Sequence, residues 1–396
     1  MIIATLATGG LLVARAQSRA AESANDADEA RLCAQSGLEL ARLWISSDSS
    51  WRTSRTSGNW VASLAIGNGT VSIDGVDPTD GNLANRPHDA VQLTVTARKG
   101  LARRILTQTL VASPTPLPAL RYALHTVGQL RVEPNYRLML GTATLSTNGE
   151  FRNDGIVEGS ADASTCSSNN QMYGTLTTGV ASRAMPASTV PEAYASLGTL
   201  ISPPNTLSGI VLSPSINPYG APNADGVYVI RASSDITIKN CRIYGTLVVI
   251  NPGKKLTLTG ANLLQPSRPD FPALIVNGDC VFAFNSSSGL SEASVGANFN
   301  PTGAAYQGVT DTDQADTYPN EIQGLVHITG SLAINQSCTV RGAILCESSA
   351  SSKAVDINAD GVRIYYDSSL YTNPPQFYTT SVQMLTQAGS YKPIVN

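Results

Sequence analysis

Three aspartates at three-residue steps, Asp74, Asp77 and Asp80, sit in the turn-rich text DGVDPTDGN. A second acidic run, DTDQADTYPNE, holds Asp311, Asp313, Asp316 and Glu321. Carboxylates gathered in a loop supply the hard oxygen ligands that Ca²⁺ takes. Asp and Gly are also ordinary turn formers. Both readings stand for Asp74, Asp77 and Asp80, and both stand for Asp311, Asp313 and Asp316. The second run opens like an EF-hand loop but lacks the Gly and the final Glu at the required offsets. Calcium is the one cofactor the sequence raises, and the fold requires none.

Other chemistry is thinly provided. His88, His125 and His327 lie in separate regions, and His327, between apolar Val326 and Ile328, is expected to face solvent. Asp235, Asp279, Asp356 and Asp360 are scattered rather than paired. The chain contains no G-x-S-x-G, H-E-x-x-H or phosphate-binding Gly loop. Its six cysteines form no C-x-x-C pair, which removes zinc and thioredoxin spacings. They read as small apolar residues buried in the core, with disulfide pairing left open.

The elements that would position these groups are mostly strands. Charged residues are only 14% of the 396, against roughly 25% in ordinary soluble domains. The difference is made up by Ser, Thr, Asn and Gly, a composition for short strands and turns rather than long helices. A net charge of −3 leaves no basic footprint for nucleic acid.

Beyond residue 119 the text repeats. Ile236-Thr237-Ile238 with Cys241-Arg242-Ile243-Tyr244-Gly245 overlays Leu332-Ala333-Ile334 with Cys338-Thr339-Val340-Arg341-Gly342. ALIVNGDCVF (273–282) overlays LVHITGSLAI (325–334). Alternating apolar residues, an Asn or Gly turn and another short strand make the pattern of stacked rungs. Asn240 and Asn335 suit such turns because Asn tolerates left-handed φ. Two insertions, 163–208 with the helical VPEAYASLG and 286–321, are expected to hang off one side. The closing text YYDSSLYTNPPQFY (365–378) is expected to cap the last rung.

The N-terminus differs. Residues 1–14 carry no charge, and Arg15 is the first charged residue. As a helix they span roughly 21 Å, short of a roughly 30 Å hydrocarbon core. They fit a signal-peptide core, a hydrophobic staple, or the tail of a transmembrane helix whose start lies upstream. The third is favoured because the helical pattern continues past Arg15. Ala20, Ala24, Ala27, Ala30, Ala34, Leu38, Ala41 and Ile45 form one apolar stripe that ends at SSDSSW. GNGTVSI (67–73), AVQLTVTA (90–97) and ARRILTQTLVA (102–112) then read as small antiparallel strands, closed by the stiff PTPLP.

The apolar head, the Ala-rich amphipathic turns and EARLCAQSGLELARLWISSDSSW (29–51) resemble the N-terminal region of PilX-type minor pilins. The likeness covers the first 115 residues or so, without the prepilin cleavage signature of a basic leader, Gly-Phe and a following Glu. It implies a helix that anchors in a membrane and packs with other pilin-like or secretion-apparatus subunits, as in type IV pilus and type II secretion assemblies. It also implies a calcium-binding loop in the pilin-like head.

The fold expected is mainly β: a right-handed parallel β-helix (solenoid) after a long N-terminal helix and a small pilin-like antiparallel region. The boundaries are 1–47, 48–118 and 119–396. The expected function is that of a non-enzymatic cell-envelope protein, structural or adhesive. It would hold a single-pass inner-membrane anchor, with the β domains outside the cytoplasm and a glycan or other surface ligand on the β-helix. The alternative is a polysaccharide lyase or glycosidase, whose carboxylates would be assembled across rungs.

Overall fold

The alanine stripe forms a helix. In the computed structural model, which describes residues 2–285 and 289–394 and side chains from residue 7 onward, α1 spans Ile2–Ser47. Met1, the first side chains of the apolar head, and residues 286–288 of the second insertion lie outside the described residues. Only the C-terminal half of the stripe is buried: Ala30, Cys33, Ala34, Leu38, Ala41 and Ile45 pack against an antiparallel sheet. That sheet is β1 (Gly58–Ile66), β2 (Gly69–Val76), β3 (Val91–Lys99) and β4 (Ala102–Pro116), paired in sequence order. β2 and β3 alternate buried and outward residues, as half-buried strands do. Gly37, the one glycine past Arg15 in the helix, lies where a Cβ would come within 2.7 Å of Val95 Cγ1. Its lack of a side chain sets how closely helix and sheet approach.

The chain divides into two compact units, Met1–Thr115 with Ser381–Asn396, and Pro116–Thr380. The solenoid therefore does not run to residue 396. Strand Thr379–Thr386 extends the antiparallel sheet beyond β4, and Lys392–Ile394 pairs antiparallel with β4. Among the described residues, no helix is long and apolar enough to cross a membrane.

The second unit is a three-faced parallel solenoid. On one face, the inward residues stack as Leu207, Ile238, Leu258, Phe282, Ile334, Ile357, Val132 and Asn153. All are fully buried, and each strand shields its neighbours from water in a way no rung could achieve alone. The 273–282 and 325–334 segments are adjacent rungs paired in the register their text predicts, Leu274 on Val326 and Cys280 on Leu332. Asparagines link one corner: Cys241 N–H donates to Asn262 Oδ1 (3.0 Å), and Asn262 N–H donates to Asn320 Oδ1 (2.8 Å). Asn240 takes the expected left-handed φ of 53°, whereas Asn335 does not take a positive φ.

The stacking order is not the chain order. Rungs formed by residues 124–172 stack beyond Ile344 and Ile357, the last rung to be made. The chain then travels back and restarts at Thr199–Ile201 at the opposite end.

A second departure concerns the closing text, which caps no end. Leu370 and Tyr378 lie along the outside of one face with Leu120, Val190, Tyr194 and Phe271. The helix Val190–Leu197, expected from VPEAYASLG, belongs to the same cover. Strands beneath it are buried on both sides, which is why TLVVI and AILC are continuous apolar runs rather than alternating ones.

Candidate functional site

The first acidic loop is folded by its own carboxylates. Asp77 Oδ1 accepts from Thr79 N–H (2.7 Å), and Asp80 accepts from Asn82 N–H (2.8 Å) and Asn85 Nδ2 (2.6 Å). Carboxylate oxygens of Asp77, Asp80 and Asp89 come within 4.8 Å of one another. Asp74 is not among them; it stays on β2 and accepts from Asn59 Nδ2 (3.1 Å). Asp89 takes its place because β2 and β3 are antiparallel neighbours, so the loop joining them begins and ends at one spot. Burial, and then the charge of Asp77, raise the Asp89 carboxyl to about 6, with Arg86 opposing. Carboxylates so placed share a proton or bind a cation.

The second run also changes membership. Asp311 and Asp316 converge with Glu292, which opens a short helix in the insertion and is fully buried. Asp313 lies outside the group, where its Oδ1 accepts from Ala315 N–H (3.0 Å). Glu321 is elsewhere, paired with Arg341 at 2.8 Å on a rung.

His327 is completely buried, contrary to the expected solvent position. It does point out of the coil, but the cover lies over it: Nδ1 meets Tyr378 Oη (2.9 Å), and Nε2 meets Glu347 (2.7 Å). His125 stands in the same outward column, next to Leu345. Among the described residues neither of its ring nitrogens has a hydrogen-bond partner. Burial, then the nearby Arg183 charge, lower its pKa to about 4.

The unfolded chain therefore takes up a proton near pH 6.5 that the folded chain refuses until about pH 4. Stability is complete above pH 6.5 and falls as pH drops through that window, by about 3 kcal/mol for this group. His125→Phe should flatten the corresponding slope in urea-unfolding free energy between pH 7 and 4.

All six cysteines are free thiols. Burial raises Cys241 and Cys346 to about 11 and Cys338 to about 12, so these thiols stay protonated and unreactive.

A further site lies beside Glu321, which accepts from Arg341 Nε (2.8 Å) and Gln323 Nε2 (2.7 Å). On a third face the outward residues Tyr244 and Gln265 are register partners, as are Gln323, Arg341 and Tyr365. Gln265 Nε2 and Gln323 Oε1, 3.5 Å apart, join the two sets. At about 4.8 Å per strand the column is about 19 Å long. Tyr244, Gln265, Gln323 and Arg341 of this column floor two clefts, of about 710 and 440 Å³, that share Gln265 and Gln323. Tyr306 and Gln307 from the insertion line one cleft, while Ser267, Asp367 and Ser369 line the other. The Arg341 guanidinium lies 4.7 Å from the Tyr365 ring centre. Such a strip offers amide, guanidinium and hydroxyl groups beside aromatic rings. The sequence signal was available in the aligned repeats, where Tyr244 and Arg341 occupy the same position.

No family model matches the chain. No curated protein matches it in sequence either, so the PilX-type resemblance has no family match behind it. Among solved structures it is similar to the competence-associated pilin ComZ from Thermus thermophilus, at 12% identity and a TM-score of 0.26, covering 94% of this chain and 98% of that one. It is also similar to a glycosylated ice-binding protein from an Arctic yeast, at 10% identity and a TM-score of 0.31, covering 64% of this chain and 94% of that one. An ice-binding protein from an Antarctic biological consortium is similar over the same share of this chain and 91% of its own, at 14% identity and a TM-score of 0.27.

Proposed function

We propose that the protein is a pilin-like, non-enzymatic component of the cell envelope, anchored through α1, that displays the solenoid as a glycan-binding module. The observation that carries the anchor is the contrast along α1. One face of its C-terminal half is buried on the sheet, while Leu32 and Leu43 point away at 53% and 58% exposed. Residues 7–25 have no buried face at all, and Leu11, Leu12 and Val13 are 55%, 64% and 57% exposed. Apolar side chains held out on a helix need a partner, and lipid or the helices of like subunits provide one. The anchor is read as a single pass in the inner membrane with the β domains outside the cytoplasm. The coil is read as right-handed, the hand that twisted parallel strands favour in their crossovers.

Leu11→Asp with Leu12→Asp should move the protein from the membrane fraction to the soluble fraction. An unchanged distribution would remove the anchor reading. Arg341→Ala with Tyr365→Ala should weaken retention on bacterial polysaccharides about tenfold, as expected when a stacked cation and ring are lost. If a bound polysaccharide is depolymerised and Glu321→Gln abolishes this, the enzyme reading replaces the display reading.

A further inference from the structure

The insertion after Asn285 covers Val211 and Leu263, outward residues of one solenoid face, with Leu290, Phe299 and Tyr318. Within it Glu292 accepts from Phe299 N–H (2.5 Å) and Tyr318 Oη (2.9 Å) on Oε1, and from Asp316 N–H (3.0 Å) on Oε2. Oxygens of Glu292, Asp311 and Asp316 lie within 4.8 Å of one another. Three carboxylates this close repel unless something positive joins them. The neighbouring cation, Arg242, does not pair with them, because its guanidinium is taken up by the carbonyls of Phe299, Ala304 and Ala305.

Asn300 supplies the independent observation. It is 1% exposed, and its terminal amide sits between the two aspartates, with Nδ2 donating to Asp311 Oδ2 (3.0 Å) and Asp316 Oδ2 (3.1 Å). Among the described residues its Oδ1 is buried without a hydrogen-bond partner. The two ends of an amide exchange by a half-turn about its last bond. Turned so, Oδ1 joins the carboxylate oxygens, and the amide leaves the space between them to a cation. A buried oxygen without a donor calls for a physical account, and a bound ion supplies one.

We propose that Glu292, Asn300, Asp311 and Asp316 bind one divalent cation of the calcium type. The donors are oxygens throughout, from carboxylates and an amide, which selects a hard cation over zinc or copper. They come from a loop, whose irregular geometry suits calcium better than the strict octahedron of magnesium. The proposal stands whether or not the protein is an envelope component.

The full chain, stripped with a chelator, is titrated with Ca²⁺ by calorimetry and with Tb³⁺ by tyrosine-sensitised luminescence. Tyr318 Oη lies 3.3 Å from Asp316 Oδ2, close enough to sensitise a lanthanide there. The wild type should bind both ions. Asp316→Asn and Asp311→Asn should each weaken binding at least about tenfold, because affinity follows the number of charged ligands. Asp313→Asn, outside the group, and Asp77→Asn, in the first unit, should leave the tyrosine-sensitised signal unchanged.

Circular dichroism of the metal-free variants should match the wild type. Should Asp316→Asn lose structure, Asp311→Asn is the decisive variant. The proposal is overturned if the stripped wild type binds neither ion, if the folded Asp311 variant binds like wild type, or if Asp313→Asn or Asp77→Asn removes the signal.

Discussion

Gly342→Ala should destabilise the solenoid by about 3 kcal/mol or more, a large effect for one methyl group. A Cβ at this position would lie 2.0 Å from the carbonyl oxygen of Gly324 and 2.6 Å from its carbonyl carbon. Both obstacles are backbone, so no rotamer change relieves the clash. The two glycines are register partners on adjacent rungs, and relief means separating strands whose ladder hydrogen bonds hold them about 4.8 Å apart. Gly245 meets the same obstacle in Gly226, at 2.1 Å.

The control is Gly253→Ala, where φ is +72° but no atom lies within 4 Å. It carries only the left-handed backbone penalty of about 1–2 kcal/mol. Thermal unfolding followed by circular dichroism should put the Gly342 variant roughly 10 °C below wild type and the Gly253 variant only a few degrees below. Because Gly342 also has a φ of +156°, Gly245→Ala, which meets Gly226 at 2.1 Å without a positive φ, separates packing from φ. A shift no larger than that of Gly253→Ala would show that the corner glycines do not serve close packing.

The pairing of Gly245 with Gly342 also shows what the sequence made legible. The overlay of the two blocks placed these glycines at one corner and Ile238 and Ile334 in one inward column, because a solenoid repeats its chemistry wherever it repeats its shape. It could not reveal that residues 124–172 stack after Ile357. Every parallel rung presents the same edge, and no residue type marks which rung comes next. His327 departs from its expected solvent position for a related reason. Period-two alternation tells inside from outside of the coil, but outside means solvent only where nothing covers it, and here Tyr378 does. The acidic groups were half legible: the text located the loops, while Asp89 and Glu292 entered through strand pairing and a buried helix start. Asp74 and Asp313 are neighbours of these groups in sequence only.

Arg242 is the sharpest case of context overriding text, and its removal should have the second large effect. In the repeat it aligns with Thr339, an ordinary outward strand residue. In the fold it is 1% exposed, because the insertion, contributed by residues far along the chain, lies over it. Nη1 donates to the carbonyls of Phe299 (2.6 Å) and Ala304, and Nη2 donates to that of Ala305 (2.7 Å). Tyr306 and Tyr318 rings stand 5.3 and 5.8 Å from the guanidinium carbon. Burial lowers its pKa, opposed by the surrounding tyrosines and Glu292, yet an arginine remains charged.

Arg242→Met fills part of the space but leaves three carbonyls without their donor, at about 1–3 kcal/mol each if they stay buried. Exposure to water is the easier outcome, so the insertion should open locally at a loss of about 4 kcal/mol while the coil persists. Hydrogen–deuterium exchange should rise sharply across residues 299–309 and stay unchanged in the rungs that hold Ile238 and Leu258. Arg242→Lys should fall between, since an ammonium cannot span three carbonyls as the guanidinium fork does. Exchange that spreads evenly through the solenoid would instead make Arg242 part of the coil's own stability. Unaltered exchange would mean that the apolar contacts of Phe299 and Tyr318 hold the insertion without it.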